Sequence, residues 1–87
     1  MKYYDLYAFR INSLCKKQKI TINRLATLCG LKQSTIDNII HGTSKNPTVK
    51  TLHRIAGAFN MTLSDFLDFP ELNDNSIEDE EDEDGNN

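Results

Sequence analysis

The sequence predicts an all-α protein: a compact body of five short helices over residues 1–70, then a disordered acidic tail over residues 71–87. Three observations predict it. The stretch TINRLATLCGLKQSTIDNIIHG, residues 21–42, reads as two short amphipathic helices joined by a tight turn. Apolar stripes at helical spacing recur on both sides of that stretch. From Glu71 onward, acidic residues replace almost all apolar ones.

The first helix is expected over residues 4–17. Tyr7, Ile11, Leu14 and Cys15 share one face, and Gln18 ends the stripe. Asp5 near the start and Lys16, Lys17 and Lys19 near the end suit the helix dipole. Phe9 falls on the opposite face, either packed under the N-terminal residues or touching a second subunit. The second helix begins at Thr21, a good N-cap, with Ile20 placed to staple onto Leu25. Leu25 and Leu28 lie on one face, with Ala26 and Cys29 beside them. Ala26 is small where another helix must cross, and Gly30 suits a left-handed turn.

The third helix, about residues 33–41, buries a stripe of Ile36, Ile39 and Ile40. Lys32, Gln33, Ser34, Thr35 and Asn38 stand off that stripe and carry groups able to read base edges. Lys32 occupies the N-cap, where a lysine cannot accept the orphan N–H bonds and its charge opposes the dipole. Contact with an anion would offset that cost; a tolerated surface lysine is the other reading. Gly42 ends this helix, and Thr43, Ser44, Lys45 and Asn46 make a polar loop closed by Pro47. Thr48 then caps a fourth helix with Val49, Leu52, Ile55, Ala56 and Phe59 on its core stripe and His53 off it. Asn60 and Met61 turn the chain, Thr62 caps a fifth helix, and Leu63, Phe66 and Leu67 close the core. Phe69 and Leu72 lie beyond, either folded back or forming the apolar part of a dimer contact.

Eighty-seven residues allow one domain, and a domain this small buries only ~60% of its unfolded surface. No run approaches the ~18 apolar residues of a membrane span. The opening MKYYDLYAFR lacks the pattern of a signal peptide, so a cytoplasmic protein that does not engage membranes is expected. Cys15 and Cys29 fall on apolar stripes and read as buried free thiols. Cys15, Cys29, His41 and His53 are too scattered for a zinc site, so no metal or other cofactor is expected. Ser, His and Asp form no nucleophile–base arrangement, and five short helices leave little room for a catalytic pocket. No enzymatic activity and no small-molecule substrate are expected.

The net charge of −3 conceals an asymmetry. Residues 1–70 hold all ten Lys and Arg but four acidic residues, a net +6, while residues 71–87 hold nine acidic residues and no basic one, a net −9. The tail has too little apolar surface to offset ordering entropy. It either solubilises the chain or competes with an anionic ligand for the basic body. A short flexible tether supplies an effective concentration around millimolar, so even a weak contact would count.

Residues 21–42 resemble the helix-turn-helix of the phage repressor and Cro class, the XRE family. Ala26, Gly30 and the apolar spacing of Leu25, Cys29, Leu31, Ile36 and Ile39 carry the resemblance. It continues through HGTSKNPTVKTLHRIAGAFNMTLSDFL and so covers roughly residues 5–69. The resemblance implies a lambda-repressor-like fold and a sequence-specific DNA-binding regulator, phage-borne or bacterial and repressor-like. Its third helix would enter the major groove and its second would cross the backbone. Lys32, Gln33, Ser34 and Asn38 are then the base readers. Gln33 leads, because its amide pairs bidentately with adenine. Thr21, Asn23, Arg24, Thr35, Thr43, Lys45, Asn46, Thr48 and Lys50 are the expected contacts to the DNA backbone.

Two departures from the family pattern bear on this. Ile22 stands where relatives often carry a Gln that hydrogen-bonds a phosphate. Cys15 and Ile40 stand where many relatives pair an Arg with a Glu. Loss of both charges together is compatible with the fold, and the resemblance implies that Cys15 meets Ile40. Relatives commonly bind as homodimers on half-sites about one helical turn (~34 Å) apart. At this length no latent protease and no bulky effector domain are expected. A second reading belongs to another class: an antitoxin-like module that binds a protein partner through its acidic tail.

Overall fold

The computed structural model describes residues 2–74. They form six helices and no extended sheet: α1 (Tyr3–Gln18), α2 (Ile22–Cys29), α3 (Gln33–Ile40), α4 (Val49–Ala58), α5 (Leu63–Leu67) and α6 (Pro70–Asn73). α1 lies against α3, α2 packs on both α3 and α4, and α5 closes over α4. α6 returns to α1.

The same local chemistry starts three of these helices. Thr21, Thr48 and Thr62 have extended backbones, and each hydroxyl oxygen accepts the N–H three residues on, at 3.0–3.1 Å. One device also ends three of them. Lys19, Gly30 and Asn60 adopt left-handed conformations with φ of 60°, 69° and 61°. The N–H groups of the following Ile20, Leu31 and Met61 then reach back to the carbonyls of Cys15, Ala26 and Ala56 at 3.0, 3.1 and 2.9 Å. This is the Schellman arrangement, which satisfies carbonyls that a helix end would otherwise orphan.

The core draws on five helices. Ile11, Leu14, Cys15, Leu25, Ala26, Cys29, Ile36, Ile39, Leu52, Ile55, Ala56 and Phe66 are buried together with Phe59, which follows α4. The Phe59 and Phe66 rings stack with centroids 6.5 Å apart. Cys15 lies in this cluster and Ile40 packs against it, the neighbourhood expected where a charged pair has been replaced by apolar groups. Both cysteines are free, and burial pushes both thiols up from the ordinary cysteine value, Cys15 further through its neighbour Cys29. The Cys29 thiol donates to the Leu25 carbonyl at 2.9 Å.

Long polar side chains of α1 bond carbonyls at the ends of α4 and α5. Gln18 Nε2 donates to the Phe59 carbonyl at 3.0 Å. Arg10 donates from Nε to the Phe66 carbonyl and from a terminal nitrogen to the Asp65 carbonyl, both at 2.8 Å. Its guanidinium carbon also sits 5.0 Å from the Phe69 ring centroid.

Several expectations need correction. α1 begins one residue earlier and ends one later than the first helix drawn from the stripe, and its buried face includes Leu6. Leu28 is 44% exposed, because it shares the Arg24 side of α2 while Leu25, Ala26 and Cys29 take the core. Val49 is 67% exposed: it is the first residue of α4, and the stripe reaches the core only at Leu52. Phe9 packs near Phe69, with ring centroids 6.4 Å apart. Phe69 is folded back and buried rather than displayed for a dimer.

Among the described residues the helix count is six, not five. Pro70 starts α6, and Asn73 Nδ2 donates to the Leu67 and Phe69 carbonyls at 3.0 Å, tying the turn down. α6 runs past residue 70, through Asn73. The rest of the expected tail, residues 75–87, lies outside the described residues. Among the described residues no helix is long and apolar enough to cross a membrane.

Candidate nucleic-acid interface

The geometry begins at the turn between α2 and α3. Gly30 carries φ +69°, and Leu31 follows half-buried against the core. Lys32 has the extended backbone of an N-cap, φ −66° and ψ 146°, but makes no side-chain cap bond. The first-turn amides of α3 are served only by the Lys32 carbonyl, which accepts from Thr35 at 3.0 Å and Ile36 at 3.4 Å. Ile36 and Ile39, 0% and 1% exposed, fix which side of α3 faces the core. Lys32, Gln33, Ser34 and Asn38 are consequently exposed, and Thr35 is half-buried. All four residues expected to read bases therefore stand on the outer edge of one short helix.

The loop after α3 is tied to that helix. Gly42 has φ +78° and packs on the Tyr4 ring so closely that an added Cβ would sit 3.1 Å from it. The Ser44 N–H donates to the Asn38 carbonyl at 2.9 Å, linking the loop to the outer edge of α3. Lys45 Nζ lies 5.4 Å from the Tyr4 ring centroid, a cation–π contact from α1. Thr43, Lys45, Asn46, Thr48 and Lys50 are all exposed. Thr48 and Thr51 are joined by a 3.1 Å hydroxyl–hydroxyl bond at the start of α4.

On α2 the Thr21 hydroxyl accepts from the Arg24 N–H at 3.0 Å, and Thr21, Asn23 and Arg24 are exposed. Ile22 is half-buried and packs on the core cluster, so its role is packing. Residues 21–50 carry Arg24, Lys32, Lys45 and Lys50 against a single acid, Asp37. This surface is polar, basic and without a nucleophile–base pair. What it offers is a set of cations, hydroxyls and amides suited to phosphates and base edges.

Two residues of this neighbourhood escaped the reading of the sequence. Asp37 accepts a hydrogen bond from Gln33 Nε2 at 3.2 Å; its spacing from Gln33, four residues along a helix, was the available signal. Tyr4 supports the loop from a distant part of the chain, and no local pattern announces it.

A family model described as the Cro/C1-type HTH DNA-binding domain matches residues 10–71. Among curated sequences, the chain is 30% identical over 59 residues to YopS of Bacillus subtilis (strain 168), an SPbeta prophage-derived uncharacterized HTH-type transcriptional regulator. That match spans 68% of this chain and 80% of YopS. Among solved structures, prophage Lp1 protein 11 superposes with a TM-score of 0.75 and 39% identity, covering 84% of this chain and 97% of its own. An HTH_3 family transcriptional regulator from Vibrio cholerae superposes with a TM-score of 0.67 and 26% identity, over 75% of this chain and 36% of its own. With the turn, the caps and the paired helices in place, the chain belongs to the Cro/C1-type helix-turn-helix family of DNA-binding transcriptional regulators.

Proposed function

We propose that this chain is a sequence-specific repressor of phage type, binding duplex DNA in the bacterial cytoplasm with α3 in the major groove and α2 across the backbone. The observation that carries this is the sidedness of α3: Ile36 and Ile39 are buried, while Lys32, Gln33, Ser34 and Asn38 face outward together. Gln33 and Asn38 carry the amide chemistry that pairs with adenine, and Lys32 the charge that suits guanine or phosphate. Thr21, Asn23, Arg24, Thr35, Thr43, Lys45, Asn46, Thr48 and Lys50 would hold phosphates and set the register. One module of this size offers few contacts, so two copies on half-sites about 34 Å apart are the natural operator.

The test is selection of bound fragments from a random duplex library at fixed salt, with the full chain and with Gln33→Ala. A palindromic motif that loses one specified position in the variant supports the reading. An unchanged motif removes α3 as the reader. The partner-binding reading draws on the exposed Leu28 and Val49, apolar groups that DNA phosphates would not recognise. It becomes the better account if neither protein enriches any fragment.

A further inference from the structure

Asp37 is the one acidic residue between Asp5 and Asp65. It stands on the helix whose neighbours include Lys32, on a surface otherwise suited to anions. A carboxylate there repels phosphate, so on electrostatic grounds alone it weakens binding. It does hold one specific contact: its Oδ1 accepts from Gln33 Nε2 at 3.2 Å.

We infer that Asp37 is a positioning residue that sets the orientation of the Gln33 amide and so makes that side chain select adenine over guanine. This rests on the proposal that α3 reads base edges. The argument follows from the donor and acceptor count. A glutamine amide has two N–H groups and one carbonyl oxygen. With one N–H held by the carboxylate, Gln33 has one N–H and Oε1 left for a base. That pair matches adenine, whose N7 accepts and whose N6 amino group donates. Guanine presents two acceptors, N7 and O6. The anchored amide would set its Oε1 against O6 and leave one acceptor unpaired. A free glutamine can rotate and offer both N–H groups to guanine instead. Asp37 closes that option, because a flipped amide would turn its oxygen toward the carboxylate.

The carboxylate is also suited to the task by position. Asp37 is half-buried as a residue, and its bond to Gln33 lies at the exposed edge, where a base would meet it. The bond runs along the helix between residues four apart, the spacing at which side chains meet. An amide anchored before DNA arrives loses less rotamer freedom on binding than a free one.

The experiment uses the full chain with three variants, Gln33→Ala, Asp37→Ala and Asp37→Asn, each selected against the same random duplex library. Gln33→Ala identifies the base position that depends on Gln33. At that position Asp37→Ala is expected to lower the adenine-to-guanine ratio by at least about fivefold, the low end of what a bidentate amide pair discriminates. Asp37→Asn can turn its own amide to donate to a flipped Gln33 Oε1, so it should lose the preference as Asp37→Ala does, while binding all sequences more tightly because a negative charge is gone. A ratio unchanged in Asp37→Ala, at a position that Gln33→Ala erases, overturns the role of Asp37 and leaves α3 as the reader. If Gln33→Ala changes no position, α3 does not read through Gln33 and both ideas fall. Side-chain amide NMR of the unaltered free chain adds a check that needs no variant. One Gln33 Nε2 proton should lie further downfield and exchange more slowly than its counterpart in a free glutamine amide, whose two protons already differ in shift; values matching the free amide also overturn the inference.

Discussion

Replacing Lys32 by threonine should move stability and DNA affinity in opposite directions. Lys32 already has the backbone of a capping residue: φ −66° and ψ 146°, against −85° and 163° at Thr21 and −70° and 158° at Thr48. A threonine hydroxyl placed on that backbone should find the Thr35 N–H, as Thr21 finds Arg24 at 3.0 Å, without rearranging the turn. The bond gained is worth about 1 kcal/mol, within a range of about 0.5–2. For a domain of this size that corresponds to roughly 4–8 °C in Tm per kcal/mol. Removing a cation from a helix N-terminus adds a small gain of the same sign. Binding should weaken for all sequences, and the slope of log K against log salt should shrink by about 1 if Lys32 meets a phosphate. Thermal unfolding followed by circular dichroism reads the first effect, and salt-dependent fluorescence anisotropy on a selected duplex reads the second. A Tm that does not rise refutes the capping argument. Unchanged affinity at every salt concentration refutes the placement of Lys32 against DNA.

The two turn glycines give a paired comparison. Gly30→Ala meets open space but a φ of +69°, so about 1–2 kcal/mol of backbone strain is expected in denaturant unfolding. Gly42→Ala adds a 3.1 Å approach to the Tyr4 ring to a similar φ, so it should destabilise more and also weaken DNA binding by shifting the loop; equal losses would argue against the Tyr4 contact. The Tyr7 phenol is pushed up to about 12, first by burial and then by Tyr3. Above the ordinary value of 10.0 the unfolded chain releases this proton before the folded one, so stability should fall between pH 10 and about 12, and Tyr7→Phe should flatten that part of the profile. A chain ending at Asp74 lacks the acidic residues of 75–87 and should bind DNA more tightly than the full chain, with the gap closing as salt rises. Equal affinity at low salt would leave that segment no electrostatic role at the interface.

Much of the helix-turn-helix was legible because its signals are local. Thr21, Thr48 and Thr62 act as caps, Gly30 takes the left-handed turn, and Ile36 and Ile39 are buried, each as expected from its neighbours. Capping depends on three or four consecutive residues, and a left-handed turn on one. The sidedness of α3 follows from the same spacing, and so does the exposure of Lys32, Gln33, Ser34 and Asn38.

Where the stripe meets the end of a helix, periodicity no longer decides. Leu28 and Val49 have the right chemistry for the core, but the neighbouring helices do not cover them. Phe69 could not be placed from pattern alone, because its burial depends on Phe9 and Arg10 some sixty residues earlier, and α6, which buries no residue, is held by its return to α1. The loop after α3 shows the same limit: Tyr4, at the start of α1, supports Gly42 and Lys45.

The sequence by itself determined α1 to α5, the threonine caps, the turn and the exposed polar edge of α3, because each arises from interactions within a few residues. Tertiary structure alone decided which apolar residues are covered and what holds the loop in place. Those outcomes depend on contacts between segments far apart in the chain, such as Arg10 with Phe66 and Gln18 with Phe59, whose geometry exists only once the helices have packed.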